Sequence, residues 1–315
     1  MEVRIIRKST IANDICAFEL ASADGMALPA FSAGAHIDVH VGDGLVRQYS
    51  LCNAPGETHR YVIGVLREAG SRGGSIAMHA LAEGQLLEIS EPKNHFPIVG
   101  GTTHALLLAG GIGVTPILSM AEHLAASGAA FEMHYCTRDP GRAAFRERLA
   151  DARFAGRVHL YFDSAPADER VNLRALLVAP EPGKHLYVCG PAGFIEAVLS
   201  IALAAGWDER NLHREYFAAP VQPEAASDHF QVKLAGSGQV IDVKGGQTVI
   251  AALTAAGVDV PTSCEQGVCG TCLTRVLSGE PDHRDMYLTD DERNANDCFL
   301  PCCSRSKSPI LVLDL

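Results

Sequence analysis

Three cysteines, Cys264, Cys269 and Cys272, fall within nine positions of "PTSCEQGVCGTCLTRV", residues 261 to 276, and a fourth, Cys302, follows after 29 residues. Thiolate sulfurs are soft metal ligands, and Cys-x4-Cys-x2-Cys with a distant fourth is the plant-type spacing for a [2Fe–2S] cluster. Gly267 and Gly270 allow the loop to turn so that the sulfurs converge while backbone N–H groups point inward. Zinc competes for such residues, but structural zinc sites usually draw on two short Cys pairs, and Cys302 has no partner at x2 spacing. Cys298 and Cys303 are alternatives for the fourth ligand. Neighbouring side chains of an extended segment face opposite ways, so Cys302 and Cys303 can hardly serve together, and the gap favours Cys302.

A second kind of chemistry is written in glycine. "LLLAGGIGVTP", residues 106 to 116, sets Gly110, Gly111 and Gly113 between an apolar strand and a helix expected from Pro116 to about Ser127, with Thr115 placed to cap it. N–H groups at such a helix start hold a pyrophosphate, although tight strand–helix connections also need glycine and the G-x-G-x-x-G form is absent. "YVCGPAGF" repeats the layout at Cys189, Gly190 and Pro191. In an open parallel sheet both turns border one crevice, which turns Cys189 from a small buried hydrophobe into a candidate wall of a nicotinamide site. In "YCTRDP", Arg138 suits a 2′-phosphate and Asp139 suits ribose hydroxyls, so the choice between NADH and NADPH stays open.

A hydride donor delivers two electrons, a [2Fe–2S] centre accepts one, and a flavin is the usual cofactor that divides the pair. In "VRQYSL", strand alternation puts Arg47 and Tyr49 on one face and Gln48 and Ser50 on the other. Arg47 can meet a flavin phosphate, Tyr49 can lie on the ring, and Ser50 can reach N5 where the strand twists; a half-buried strand with a surface arginine fits the same letters. Arg72, Gly73, Gly74 and Ser75 in "SRGGSIAMHALAEG" add an anion-binding helix start.

The elements that must position these groups come in three segments of the 315-residue chain. Residues 1 to 99 read as short strands, among them "AHIDVHV", "VRQYSLC" and "RYVIGVLRE", which suggest a small antiparallel β-barrel. Residues 100 to 221 alternate apolar strands ("HALLLAG", "FEMHYCT", "RVHLYFD", "HLYVCG") with helices, the pattern of a parallel α/β sheet. "AAPVQPEAAS", residues 218 to 227, reads as a linker. From residue 228 a hairpin, the helix "TVIAALTAAG" and the cysteine loop complete the chain. A net charge of −11 argues against nucleic acid and leaves room for an acidic face that steers a basic protein partner. No apolar run approaches membrane-spanning length and the N-terminus lacks a signal-like stretch, so a cytoplasmic protein is expected; ten cysteines in such a chain then point to metal binding or buried thiols.

Together "RQYSLCN", "RGGSI", "AGGIGVTPI", "YCTRDP", "CGPAGF", "SCEQGVCGTC", "DHRDMYL" and "PCCSR" with the terminal "LVLDL" resemble the phthalate dioxygenase reductase family, vanillate demethylase reductases included, over nearly the whole chain. The resemblance implies an FMN-binding barrel, a ferredoxin-reductase-like NADH domain and a C-terminal β-grasp ferredoxin domain. It implies FMN contacts from Arg47, Tyr49 and Ser50, phosphate contacts from Gly73, Gly74 and Ser75, and a nicotinamide site bordered by Gly111, Thr115 and Cys189. "EYFAA" matches the segment beside the flavin, bringing in Phe217 and Glu215. It further implies electron delivery to a Rieske-type oxygenase or O-demethylase component. A cytochrome-type monooxygenase is the alternative acceptor, and a redox-sensing or zinc-stabilised interaction protein the alternative class. Relatives often carry a single cysteine before valine where this chain has Cys302 and Cys303, and "DHRD" reads equally as a solvated turn, so His283, Arg284 and Asp285 receive no role.

Overall fold

Six antiparallel strands form from the N-terminal segment: β1 (Glu2–Ala12), β2 (Ile15–Ser22), β3 (His36–His40), β4 (Val46–Ser50), β5 (Tyr61–Leu66) and β6 (Leu86–Ile89). A computed structural model, which describes residues 1–42, 45–68, 70, 73–178, 180–218 and 229–315, pairs them in the order β4-β3-β6-β1-β2-β5. Alternate residues, including Val3, Ile5, Phe18, Leu20, Ile37, Val39 and Ile63, fill the interior. Burial of each such side chain contributes about 1.5–3 kcal/mol. The edge strands β4 and β5 meet through the isolated bridge of Leu51 to Ile63 instead of a ladder. Helix α1 (Gly74–Ala80) lays Met78 into the interior.

The continuous apolar run at residue 104 opens a sheet buried on both faces: β7 (His104–Gly110), β8 (Ala130–Thr137), β9 (Val158–Phe162), β10 (Lys184–Cys189) and β11 (Leu212–Glu215). All neighbours are parallel, in the order β11-β10-β7-β8-β9. The chain builds outward from β7 to β9 and then crosses to β10 on the other flank, so the strand order reverses beside β7. Helices α2 (Val114–Ser127), α3 (Arg146–Leu149), α4 (Leu173–Leu176) and α5 (Ala192–Ala204) fill the connections. Val114, Ile117 and Leu118 of α2 share one core with Leu107 and Ala109 of β7 and with Ile15, Ala17 and Val62 of the barrel. Gly64 of β5 lets α2 come this close, since a Cβ there would stand 2.9 Å from Thr115 Cγ2.

These two sheets make up one compact unit, Met1–Glu215; Tyr216–Leu315 is the second. Its hairpin, β12 (Phe230–Leu234) and β13 (Val240–Val243), leads into α6 (Val249–Ala255), whose N–H at Ala251 is capped by Thr248 Oγ1 at 3.1 Å. β14 (Thr274–Ser278), β16 (Cys298–Phe299) and β18 (Ile310–Leu313) complete the sheet β13-β12-β18-β14-β16, while β15 (Pro281–Asp282) pairs with β17 (Arg305–Ser306). Val249, Ala252 and Leu253 pack α6 onto Phe230, Val232 and Leu311, the grip expected of a β-grasp domain. Helix α7 (Asp290–Ala295) starts with a capping box between Thr289 and Glu292. Among the described residues no helix is long and apolar enough to cross a membrane. The linker foreseen at residues 218 to 227 lies, beyond Ala218, outside the described residues.

Candidate functional site

The cysteine loop joins α6 to β14, and Cys264, Cys269, Cys272 and Cys302 are all buried. Their thiols interact two by two, Cys264 with Cys269 and Cys272 with Cys302. Among the described residues no three His, Cys, Asp or Glu side chains gather to hold a single metal ion. The bond from Cys264 draws Cys269 down to about 5, while giving it pushes Cys264 far up. The Cys272 bond likewise lowers Cys302, but its bond with Cys303 and burial leave it at about 12. Backbone N–H groups of Gln266 and Val268 bond the Cys264 sulfur, and that of Gly267 bonds Cys302. Gly267 (φ 72°) and Gly270 (φ 73°) take the left-handed turns that aim these donors.

Two expectations change here. Residues 301–303 form a turn instead of an extended run, so Cys303 lies on the same side as Cys302, and its Sγ would stand 2.5 Å from a Cβ on Gly267. The DHRD segment is not a solvated turn: Asp285 is buried, and its carboxylate accepts from the N–H groups of Tyr287 (3.1 Å) and Leu288 (2.8 Å). Met286 N–H donates to Gly267 O at 2.9 Å, which ties this turn to the cysteine loop.

On β4, Arg47 faces Val39 and Tyr49 faces Ile37, so both lie on the barrel's inner side at its open edge; Gln48 and Ser50 face Asp38 and His36. Ser50 is buried, and burial pushes the Tyr49 hydroxyl up to about 12. Gly74 brings Arg47 to the start of α1, where an added Cβ would meet the arginine stem at 2.6 Å. Gly73 is the N-cap, at φ 95° and with no side-chain cap, so the first N–H groups of α1 lie beside a buried guanidinium-bearing side chain. Ser75 Oγ accepts from Glu68 N–H at 3.1 Å. Arg72 lies outside the described residues.

The two glycine turns pack directly on each other at the carboxyl ends of β7 and β10, where the strand order reverses. A Cβ on Gly113 would run into the Cys189 carbonyl, and one on Gly190 would stand 2.9 Å from Gly110 Cα. Pro191 and Phe194 close over Gly110. Helix α2 begins earlier than expected, because a 3-10 turn, Gly111–Gly113, runs straight into it; Gly113 is its N-cap and carries no side chain to cap with. Thr115 therefore sits inside the first turn and donates to Ile112 O at 3.0 Å. Cys189 is fully buried, its Sγ 4.0 Å from Glu215 Oε2 at the end of β11. Burial raises the thiol well above its usual range and the Glu215 carboxyl to about 8, so both are mostly neutral near pH 7. Arg138 is exposed; Asp139 accepts from Gly141 N–H at 2.9 Å to cap a local turn. Phe217, partly exposed, follows just past the division between the units.

The pattern of the 2Fe-2S iron–sulfur cluster binding domain matches residues 232–307, and that of the dimethylamine monooxygenase subunit DmmA-like N-terminal domain matches residues 92–212. A vanillate O-demethylase oxidoreductase of Pseudomonas sp. (strain HR199 / DSM 7063) is 53% identical across the whole of both chains. The solved phthalate dioxygenase reductase, described as a modular structure for electron transfer from pyridine nucleotides to [2Fe-2S], is 39% identical with a TM-score of 0.82, over 100% of this chain and 98% of its own. The chain belongs to the phthalate dioxygenase reductase family. An intact type IV self-sufficient cytochrome P450 monooxygenase also matches, at 38% identity and a TM-score of 0.80, over 100% of this chain and 41% of its own. Membership of the phthalate dioxygenase reductase family makes the chain an oxidoreductase whose three parts are a flavin-binding barrel, a nicotinamide-nucleotide domain and a [2Fe–2S] ferredoxin domain. The residues present fit those groups: two thiol pairs suit two irons, and the uncapped α1 start beside Arg47 suits a phosphate.

Proposed function

We propose that this protein is the NADH-dependent reductase component of a two-component oxygenase, drawing hydride from NADH and handing single electrons to a Rieske-type aromatic oxygenase or O-demethylase. The observation that carries this reading is four buried cysteines at Cys-x4-Cys-x2-Cys spacing with a distant fourth, in a chain whose other unit holds packed nucleotide-type turns. When bound, FMN converts two-electron into one-electron chemistry and the cluster carries electrons singly.

The chain's own residues hold and shield. Arg47, Arg72, Gly73, Gly74 and Ser75 bind the FMN phosphate, with Tyr49 against the ring and Ser50 at its reactive edge. Gly110, Gly111, Gly113 and Thr115, with Gly190 and Pro191, bind the NADH pyrophosphate, and Arg138 and Asp139 meet its ribose end. Cys189 walls the nicotinamide site and, neutral and apolar in its buried place, keeps water away there. Cys264, Cys269, Cys272 and Cys302 hold the cluster. Three domains, residues 1–99, 100–221 and 228–315, divide this work, in the cytoplasm where NADH is supplied.

A second acceptor class has its own support, since likeness to the self-sufficient cytochrome P450 monooxygenase spans the whole of this chain. The test is steady turnover with purified components: sustained product formation from NADH with a Rieske-type vanillate O-demethylase oxygenase supports the first reading. Turnover only with a cytochrome P450 acceptor overturns it in favour of the second.

A further inference from the structure

We infer that Cys303 is a second sulfur for the fourth iron-ligand position, able to take the place of Cys302 in holding the cluster. The inference deepens the ligand set proposed above and rests on it. Cys302 and Cys303 are consecutive, and in an extended strand they would face opposite ways. Residues 301–303 form a turn instead, in which Leu300 O accepts the N–H groups of Cys303 at 3.2 Å and of Ser304 at 2.9 Å. The turn brings both side chains to one side, and the two sulfurs interact.

Both sulfurs also reach the same residue of the cysteine loop. Gly267, between Cys264 and Cys269, gives its N–H to the Cys302 sulfur, while a Cβ on it would stand 2.5 Å from Cys303 Sγ. A side chain at this position would push Cys303 off the loop; with glycine there, at φ 72°, the sulfur rests against the backbone that wraps the cluster site. Cys303 Sγ makes long contacts to Leu300 O and Ser304 Oγ, each at 3.7 Å, which hold a thiol weakly. Rotation about its single side-chain torsion, from one staggered well to another, re-aims the sulfur without moving the backbone. Iron binds either residue as a thiolate. Cys303 releases one proton to solvent as its Fe–S bond forms, as Cys302 does, so the cluster charge is the same on either ligand. Cys298 is held differently, in β16 opposite Arg275 and four residues back from Cys302. The two neighbouring sulfurs differ in surroundings: Cys302 is buried and takes the Gly267 N–H, whereas Cys303 is partly exposed. Hydrogen bonds to the sulfurs and solvent exposure both set a cluster's potential, so the two ligands give distinguishable clusters.

The test uses the full-length holoenzyme, read by iron content, by the EPR spectrum of the chemically reduced cluster and by the cluster potential. Cys302→Ala is expected to keep about two irons per chain, with a shifted EPR spectrum and potential. The double variant Cys302→Ala, Cys303→Val is expected to lose them, as is Cys272→Ala. Cys303→Val alone is expected to retain the iron content and spectrum of the wild type. Cys302→Ser is expected to give the spectrum of Cys302→Ala, because residue 302 no longer touches iron; compared with Cys302→Ser, Cys303→Val, it carries the test should the alanine variant fail to fold. Loss of iron from Cys302→Ala while Cys303→Val keeps the wild-type signal overturns the inference and leaves the ligand set standing. The same signal from both serine variants, meaning that the serine oxygen binds iron, overturns it too. Loss of iron from Cys303→Val alone, or its retention by the alanine–valine double variant, overturns the ligand set and the inference with it.

Discussion

The cysteine loop of the C-terminal unit and the Cys189 turn of the α/β sheet put the same side chain to opposite uses. Cys269 Sγ donates to Thr271 Oγ1 at 3.3 Å, and the bond from its neighbour Cys264 holds it as low as about 5. Cys189 is fully buried, with the Glu215 carboxyl 4.0 Å from its sulfur and the Gly190 N–H bonded to it, and burial keeps the thiol protonated well above its usual range. A ligand must shed its proton, whereas a wall must not hold a charge against a passing hydride. Depth of burial does not separate the two regions, because all five cysteines concerned are buried; a neighbouring thiol draws Cys269 alone down, while Cys264, Cys272 and Cys302 are raised as Cys189 is.

The strongest way to break this contrast is to remove one sulfur from each region. Cys272→Ser is expected to abolish iron binding and onward electron transfer while flavin reduction by NADH persists, read by iron analysis and stopped-flow absorbance. Loss of flavin reduction as well would show that the thiol pairs support more than the cluster. Next in size is Gly113→Ala, whose methyl has nowhere to go against the Cys189 carbonyl. It is expected to destabilise the first unit by about 1–3 kcal/mol and to raise KM for NADH, seen in thermal melts and steady-state rates. Gly111→Ala, with open space around its Cβ but φ at 53°, is expected to cost only about 1 kcal/mol. Cys189→Ser leaves iron content unchanged and slows flavin reduction roughly tenfold, by placing a polar group at a site built to position the nucleotide without one.

The smallest effect sharpens the comparison through pH. Glu215 is raised from 4.5 to about 8 by burial, so the folded protein binds a proton there that the unfolded chain has released. Its contribution to stability is therefore complete below pH 4.5 and is lost as pH rises through about 8. Glu215→Gln is expected to melt progressively higher relative to wild type across that window. A constant offset would mean that the carboxyl titrates alike in both states.

Spacing alone made the [2Fe–2S] module legible, because four sulfurs around a cluster fix the distances between their positions in the chain. The parallel sheet was equally open to reading, since β7 is the uninterrupted apolar run that a strand buried on both faces demands. Strands β1 and β2 are among the longest yet carry little sequence signal: β1 alternates only through Val3 and Ile5 before its register shifts between Ile5 and Arg7, which blurs the period of two. Thr115 was misplaced by two positions because a 3-10 turn and an α-helix start look alike in letters. The Cys302 and Cys303 turn depends on hydrogen bonds to Leu300 that no local pattern announces.

An anaerobic titration of the purified holoenzyme with NADH, recording flavin absorbance and the EPR spectrum together, tests the relay most directly. The expected result is about one flavin and two irons per chain, with flavin bleaching followed by the signal of a reduced [2Fe–2S] cluster. A flavin that bleaches while the cluster stays oxidised at excess NADH, or a chain carrying neither iron nor flavin, would contradict the relay.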